Sequence, residues 1–121
     1  MVRSIMKPDR RNEFATAFME WRDQPIRVSN ENAFLFHASS SLTNVQEDVG
    51  PAMVHLHETG EPNPTPVERW HDGMSYLLIR ETNSLRNHLR LGRNQVSTRA
   101  LIEDSLRLQR AWDAYRRIVG K

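Results

Sequence analysis

The chain has 121 residues, a formal charge of +2, 38% hydrophobic and 26% charged residues, and no cysteine. That length suits one domain burying roughly two-thirds of its unfolded surface, so residues 1–121 are expected to form a single α-helical domain. The balanced composition excludes wholesale disorder, the missing cysteines exclude disulfides and thiolate-bound zinc, and no apolar run approaches the roughly 18 residues of a membrane span.

The stretch from Met1 to Arg11 is charged and lacks the apolar run of a signal peptide, which makes the cytoplasm the expected compartment. Helical periodicity begins next. Pro8 and Asp9 suit a helix start, Phe14, Ala17, Phe18 and Trp21 recur at three- and four-residue spacing, and Pro25 stops the run. A second segment opens at Ser29 or Asn30, either able to cap a helix. Phe34, Ala38, Leu42, Val45, Val49, Ala52 and Leu56 then form one stripe whose phase survives Gly50 and Pro51. The spacing favours one long, kinked helix to Thr59 with Gly60 as its C-cap. Two shorter helices are the rival reading, because Ser39, Ser40 and Ser41 are poor helix formers and Thr43 to Gln46 matches a capping box.

GEPNPTP, from Gly60 to Pro66, is a stiff connector too short to link domains. Thr65-Pro66-Val67-Glu68 then combines a threonine N-cap, proline at the first helical position and a glutamate placed to close a capping box. The helix it starts runs to Leu91, with Gly92 ending it. Val67, Trp70, Met74, Leu77, Leu78, Leu85 and Leu89 share one face, and Arg86, Arg90 and Arg93 lie opposite. The last helix, from about Ser97 to Val119, carries Leu101, Ser105, Leu108, Trp112, Tyr115 and Val119 in alternating four- and three-residue steps, the seam spacing of bundles. The expected fold is all-α, a small bundle of four to five helices, two of them long. The β-like run from Ala33 to Ala38 has no partner strand.

Some apolar residues exceed what one core stripe needs: Tyr76 and Ile79 in the third helical segment, Ile102 and Leu106 in the last, and Phe36 about 160° around from Phe34. They either pack a helix on two sides or mark an exposed patch for a partner or a second copy. Read as helices, the second and third segments span about 45 and 39 Å, longer than the 30–35 Å expected for a compact chain of this size. A homodimer is therefore expected. Charge is segregated as well: Val28 to Glu68 carries six acidic and no basic residues, while Arg69 to Lys121 carries eleven basic and five acidic. Fifteen of the seventeen basic residues are arginine, the side chain best suited to forked ion pairs and phosphate contacts.

Motifs for chemistry are scarce. His55 and His57 diverge by about 160° on a helix, as adjacent His71 and Asp72 also diverge, so neither pair chelates an ion from a regular helix. Glu81 and His88 stand on the apolar face of their helix two turns apart, as partners of arginines or as a buried pair. There is no HExxH, nucleophile elbow or glycine-rich phosphate loop. No catalytic residue, cofactor or metal ligand is assigned, and no enzyme activity is expected.

As a short, arginine-rich helical chain carrying the run WHDGMSYLLIRETNSLRNHLRL from Trp70 to Leu91, the sequence resembles the small bacterial anti-activators of quorum sensing. The resemblance implies a protein that binds a LuxR-type transcription activator and prevents its dimerisation. The expected function is thus a non-enzymatic interaction regulator that inhibits or sequesters a partner protein, with Phe36, Tyr76, Ile79, Arg86 and Arg90 as candidate partner-binding residues. Two alternatives stand beside it. One is an inhibitor of a host protein of the phage type; the other is a nucleic-acid-binding regulator that sets Arg86, Arg90 and Arg93 against phosphates.

Overall fold

The computed structural model describes residues 9–62 and 68–119, with the side chains of residues 68 and 69 left aside. Four helices and no strand occur among the described residues: α1 (Arg10–Asp23), α2 (Ala33–Thr59), α3 (Glu68–Arg90) and α4 (Gln95–Val119). The proposed Thr65–Glu68 cap and the contribution of Pro8 lie outside the described residues.

Each end has a local cause. Asp9 caps α1 by accepting from the Arg11 N–H at 3.0 Å. Asn32, and not Ser29 or Asn30, caps α2: its Oδ1 accepts from the Leu35 N–H at 2.8 Å. Ser29 is drawn elsewhere, since its N–H donates to Ser39 Oγ at 2.7 Å. Gly60 closes α2 in the left-handed conformation, φ 76°, donating to the Leu56 carbonyl, a backbone state that favours glycine. Gly92, two residues past the end of α3, is also left-handed, at φ 80°, and its N–H donates to the Leu89 carbonyl.

α2 is one helix of 27 residues that passes through Pro51. The proline has no N–H to offer the Glu47 carbonyl, but both residues face solvent, where water can replace the lost bond. Gly50, lacking a Cβ, also eases the clash that a residue before proline suffers in helical geometry. The alternative of two shorter helices is thereby overturned. Gln46, the last position of the apparent capping box, has another task. Its Oε1 accepts from Trp21 Nε1 (2.7 Å) and from the Ile26 N–H (2.9 Å), while its Nε2 donates to the Ile26 carbonyl (3.1 Å).

The helices run up, down, up and down. Residue pairs across each interface show the sense: Glu13 with Arg117 and Glu20 with Arg110 for α1 and α4, Ser75 with Trp112 and Thr82 with Ser105 for α3 and α4, Phe34 with His88 for α2 and α3. α4 packs against all three other helices, and this placement decides between the two readings of its surplus apolar residues. Ile102 is buried and Leu106 packs on the core instead of standing free, because a helix with neighbours on several sides needs more than one apolar stripe.

The seam foreseen for α4 is buried at Leu101, Ser105, Leu108, Trp112 and Tyr115. Its serine layer is satisfied across the interface: Ser105 Oγ lies 3.0 Å from Thr82 Oγ1, and each hydroxyl also reaches a carbonyl of its own helix at 2.8 Å. Aromatic rings connect the layers. Trp112 meets Trp70 edge-on at 5.9 Å and stacks on Tyr115 at 5.1 Å; Tyr115 touches Phe14, Phe14 touches Phe18, and Phe18 touches Trp21. Burial pushes the Tyr115 phenol up.

Candidate functional site

α3 separates into two faces. His71, Leu78, Thr82 and Leu85 are buried, with Trp70, Met74, Leu77 and Leu89 packed beside them. With 3.6 residues per turn, Asp72, Tyr76, Ile79, Asn83, Arg86 and Arg90 line the solvent side of the helix, beside Arg80 and Asn87, and all eight are exposed. Four of the five candidate partner-binding residues thus share one surface. Tyr76 is 62% exposed and Ile79 47%. The Arg80 guanidinium sits over the Tyr76 ring at 5.9 Å and pairs with Glu81 at 3.2 Å. Arg90 Nη1 donates to Asn87 Oδ1 at 3.3 Å. Asp72 accepts from Arg116 Nη2 at 2.7 Å, so the acidic end of the face is tied to α4.

Phe36 does not join this surface. It is 43% exposed, but it lies about 160° around α2 from Phe34, and Phe34 stacks on His88 of α3 at 4.1 Å. Phe36 therefore stands on the side of α2 turned away from α3, against the edge of His37.

Glu81 and His88 have structural employment: Glu81 pairs with Arg80 and His88 packs on Phe34. The His88 Nε2 is buried without a hydrogen-bond partner among the described residues. His71 and Asp72 diverge, His71 toward the Trp112 and Tyr115 rings and Asp72 toward Arg116 at the surface. His57 stacks on Phe18. Among the described residues no group of three or more His, Asp or Glu side chains is placed to hold a metal ion.

Two features were missed by sequence reading. The first is a polar clamp at one end of the bundle. The Glu31 carboxylate accepts from Asn94 Nδ2 (3.1 Å) and Ser97 Oγ at the start of α4, and Asn32 Nδ2 donates to Asn94 Oδ1 (2.7 Å). An acidic side chain at a helix N-terminus is favourable in itself. Glu31 and Ser97 are 66 residues apart, beyond any local pattern.

The second is a groove of about 660 Å³ between α1 and α4, where Asp9, Glu13, Glu20 and Asp113 face Arg110 and Arg117. Burial raises the Asp113 carboxyl, with Arg117 and Arg116 opposing the shift. Two of its acids are engaged within the molecule, Glu13 by Arg117 at 3.6 Å and Glu20 by Arg110 at 3.9 Å. Its charges therefore serve first to align the two helices. A signal existed in the sequence: Glu13 and Glu20 are seven residues apart, and so are Arg110 and Arg117, as antiparallel pairing requires.

No helix of the described residues is long and apolar enough to cross a membrane. The chain matches no family model, no curated protein and no solved structure.

Proposed function

We propose that the protein acts without chemistry of its own, as a cytoplasmic regulator that binds another protein through the outer face of α3 and so inhibits or sequesters it. The composition of that face carries the reading. Tyr76 and Ile79 stay exposed although the core closes without them, and Arg86 and Arg90 flank them without an ion-pair partner among the described residues. Tyrosine and arginine around a small apolar centre are the residue types that concentrate binding energy at protein interfaces. The likeness to the anti-activators of quorum sensing nominates a LuxR-type transcription activator as the partner, kept from its own dimerisation.

The test is affinity capture from the native organism with two baits side by side, the unaltered chain and a variant carrying Tyr76→Ala, Ile79→Ala, Arg86→Glu and Arg90→Glu. A protein retained by the first and lost by the second, with the helical circular dichroism of the two baits alike, is the expected result. Equal retention by a folded variant refutes the assignment of the face. Loss of helical signal would show that these side chains hold the fold.

A further inference from the structure

We infer that a second copy of this chain is itself an occupant of the α3 outer face, through a two-fold, antiparallel pairing of α3 with its counterpart. The inference rests on reading that face as a protein-docking surface and names one partner for it. Asp72, Tyr76, Ile79, Asn83, Arg86 and Arg90 are separated by steps of four, three, four, three and four residues, all of them exposed. That is the seam spacing with which two helices pack lengthwise at a shallow angle.

The order of residue types along the seam is complementary to its own reverse. When a second α3 lies antiparallel about the midpoint of the stripe, Asp72 opposes Arg90 of the second copy, Tyr76 opposes Arg86, and Ile79 opposes Asn83. The two-fold axis repeats each contact, as an isologous interface requires. At both ends the Asp72 carboxylate, exposed although its Oδ1 accepts from Arg116 of its own chain, meets the guanidinium of the second copy's Arg90 as well. A second guanidinium meets an aromatic ring that already accepts Arg80 at 5.9 Å. The two Arg86 side chains then lie about 15 Å apart along the axis, beyond the screening length of about 8 Å at physiological salt. A parallel pairing would set Asp72 on Asp72, Arg86 on Arg86 and Arg90 on Arg90, so charge selects the antiparallel sense.

With only Tyr76 and Ile79 apolar, such an interface is small, and small polar interfaces exchange readily. The dimer therefore covers the docking face reversibly, and a partner protein must compete with it.

The seam is tested by charge exchange, read by sedimentation across a wide range of concentration, with circular dichroism to confirm the fold of every variant. The unaltered chain is expected to move from monomer toward dimer mass as concentration rises. Asp72→Arg alone and Arg90→Asp alone each weaken the dimer at least about tenfold, since each places like charges at both ends of the seam. Mixing the two variants restores a heterodimer, because one chain then carries arginine and the other aspartate at both of the exchanged positions, and opposite charges meet again at each end. In this cysteine-free chain, Ile79→Cys and Asn83→Cys variants mixed under mild oxidant are expected to cross-link to each other faster than either does to itself.

A folded chain that stays monomeric at every concentration and yields no mixed cross-link overturns the inference. So does a dimer indifferent to the charge exchange. Neither result touches the capture of another protein by the same face, which the two-bait experiment decides separately.

Discussion

Removing the Gln46 amide should detach the start of the α1–α2 connection from the bundle. Gln46→Ala deletes three hydrogen bonds at once, to Trp21 Nε1 and to both backbone groups of Ile26, in a partly buried setting. At a net 0.5–1.5 kcal/mol per bond, the loss is about 2–4 kcal/mol. That is a large share of the 5–15 kcal/mol that roughly describes a domain of this kind. Urea denaturation measures it directly, and Trp21→Phe supplies the control: on that background Gln46→Ala should cost about 1 kcal/mol less, because the indole N–H no longer needs an acceptor. Gln46→Glu adds a pH signature. A carboxylate still accepts from Trp21 and from the Ile26 N–H but repels the Ile26 carbonyl, so its deficit should shrink as pH falls and the carboxyl gains a proton. A cost below about 0.5 kcal/mol for Gln46→Ala, or no coupling to Trp21, refutes the reasoning.

Other consequences are open to simpler tests. A Cβ added at Gly73 meets nothing within 4 Å, so Gly73→Ala should stabilise α3 by about 0.5–1 kcal/mol in urea titration. Gly60→Ala should destabilise by about 1–2 kcal/mol, since φ is +76° there. Asp104 is raised from the ordinary carboxyl value by burial, against the pull of Arg107 and Arg27. Its folded form binds a proton more tightly than its unfolded form, so its ionisation destabilises the fold as pH rises through the raised value. Asp104→Asn should therefore gain stability relative to the unaltered chain at neutral pH and lose that advantage in acid; an advantage that grows in acid reverses the sign and rejects the assignment. Electrophoretic titration with DNA and RNA at low salt should show no shift. Binding whose salt slope drops as Arg86, Arg90 or Arg93 is removed would move the site from protein to phosphate.

Helix existence was legible because it depends on periodicity, which Phe14, Phe18 and Trp21 or Leu101, Leu108 and Tyr115 display without knowledge of any neighbour. The continuity of α2 was legible for the same reason: the stripe from Ala38 to Leu56 keeps its phase across Pro51. The number of neighbours a helix has is not written in its period. Ile102 and Leu106 therefore read as surplus until α4 was seen between three partners. Short-range pattern also misled at Gln46, whose spacing from Thr43 imitates a cap while its amide serves a loop 20 residues earlier. Within the candidate site, the shared phase of Tyr76, Ile79, Arg86 and Arg90 was visible. The exclusion of Phe36 required knowing which side of α2 receives α3.

The position of α4 carries a consequence for biosynthesis. The helix that all others lean on lies last of the four in the chain, and α1, its antiparallel neighbour, lies first. At 5–20 residues per second, α1 leaves the ribosome on the order of ten seconds before α4 is available. Through that interval Phe14 has no Tyr115 to pack against, while Phe18 and Trp21 can already meet His57 and Gln46 of α2, so the nascent chain displays an aromatic edge that the finished molecule hides. Contacts joining the two ends of a sequence also form late and slowly for their fold class. The contacts between α1 and α4 therefore close only once all four helices have been made, which leaves a window in which chaperones can engage the chain, set by the order of its helices.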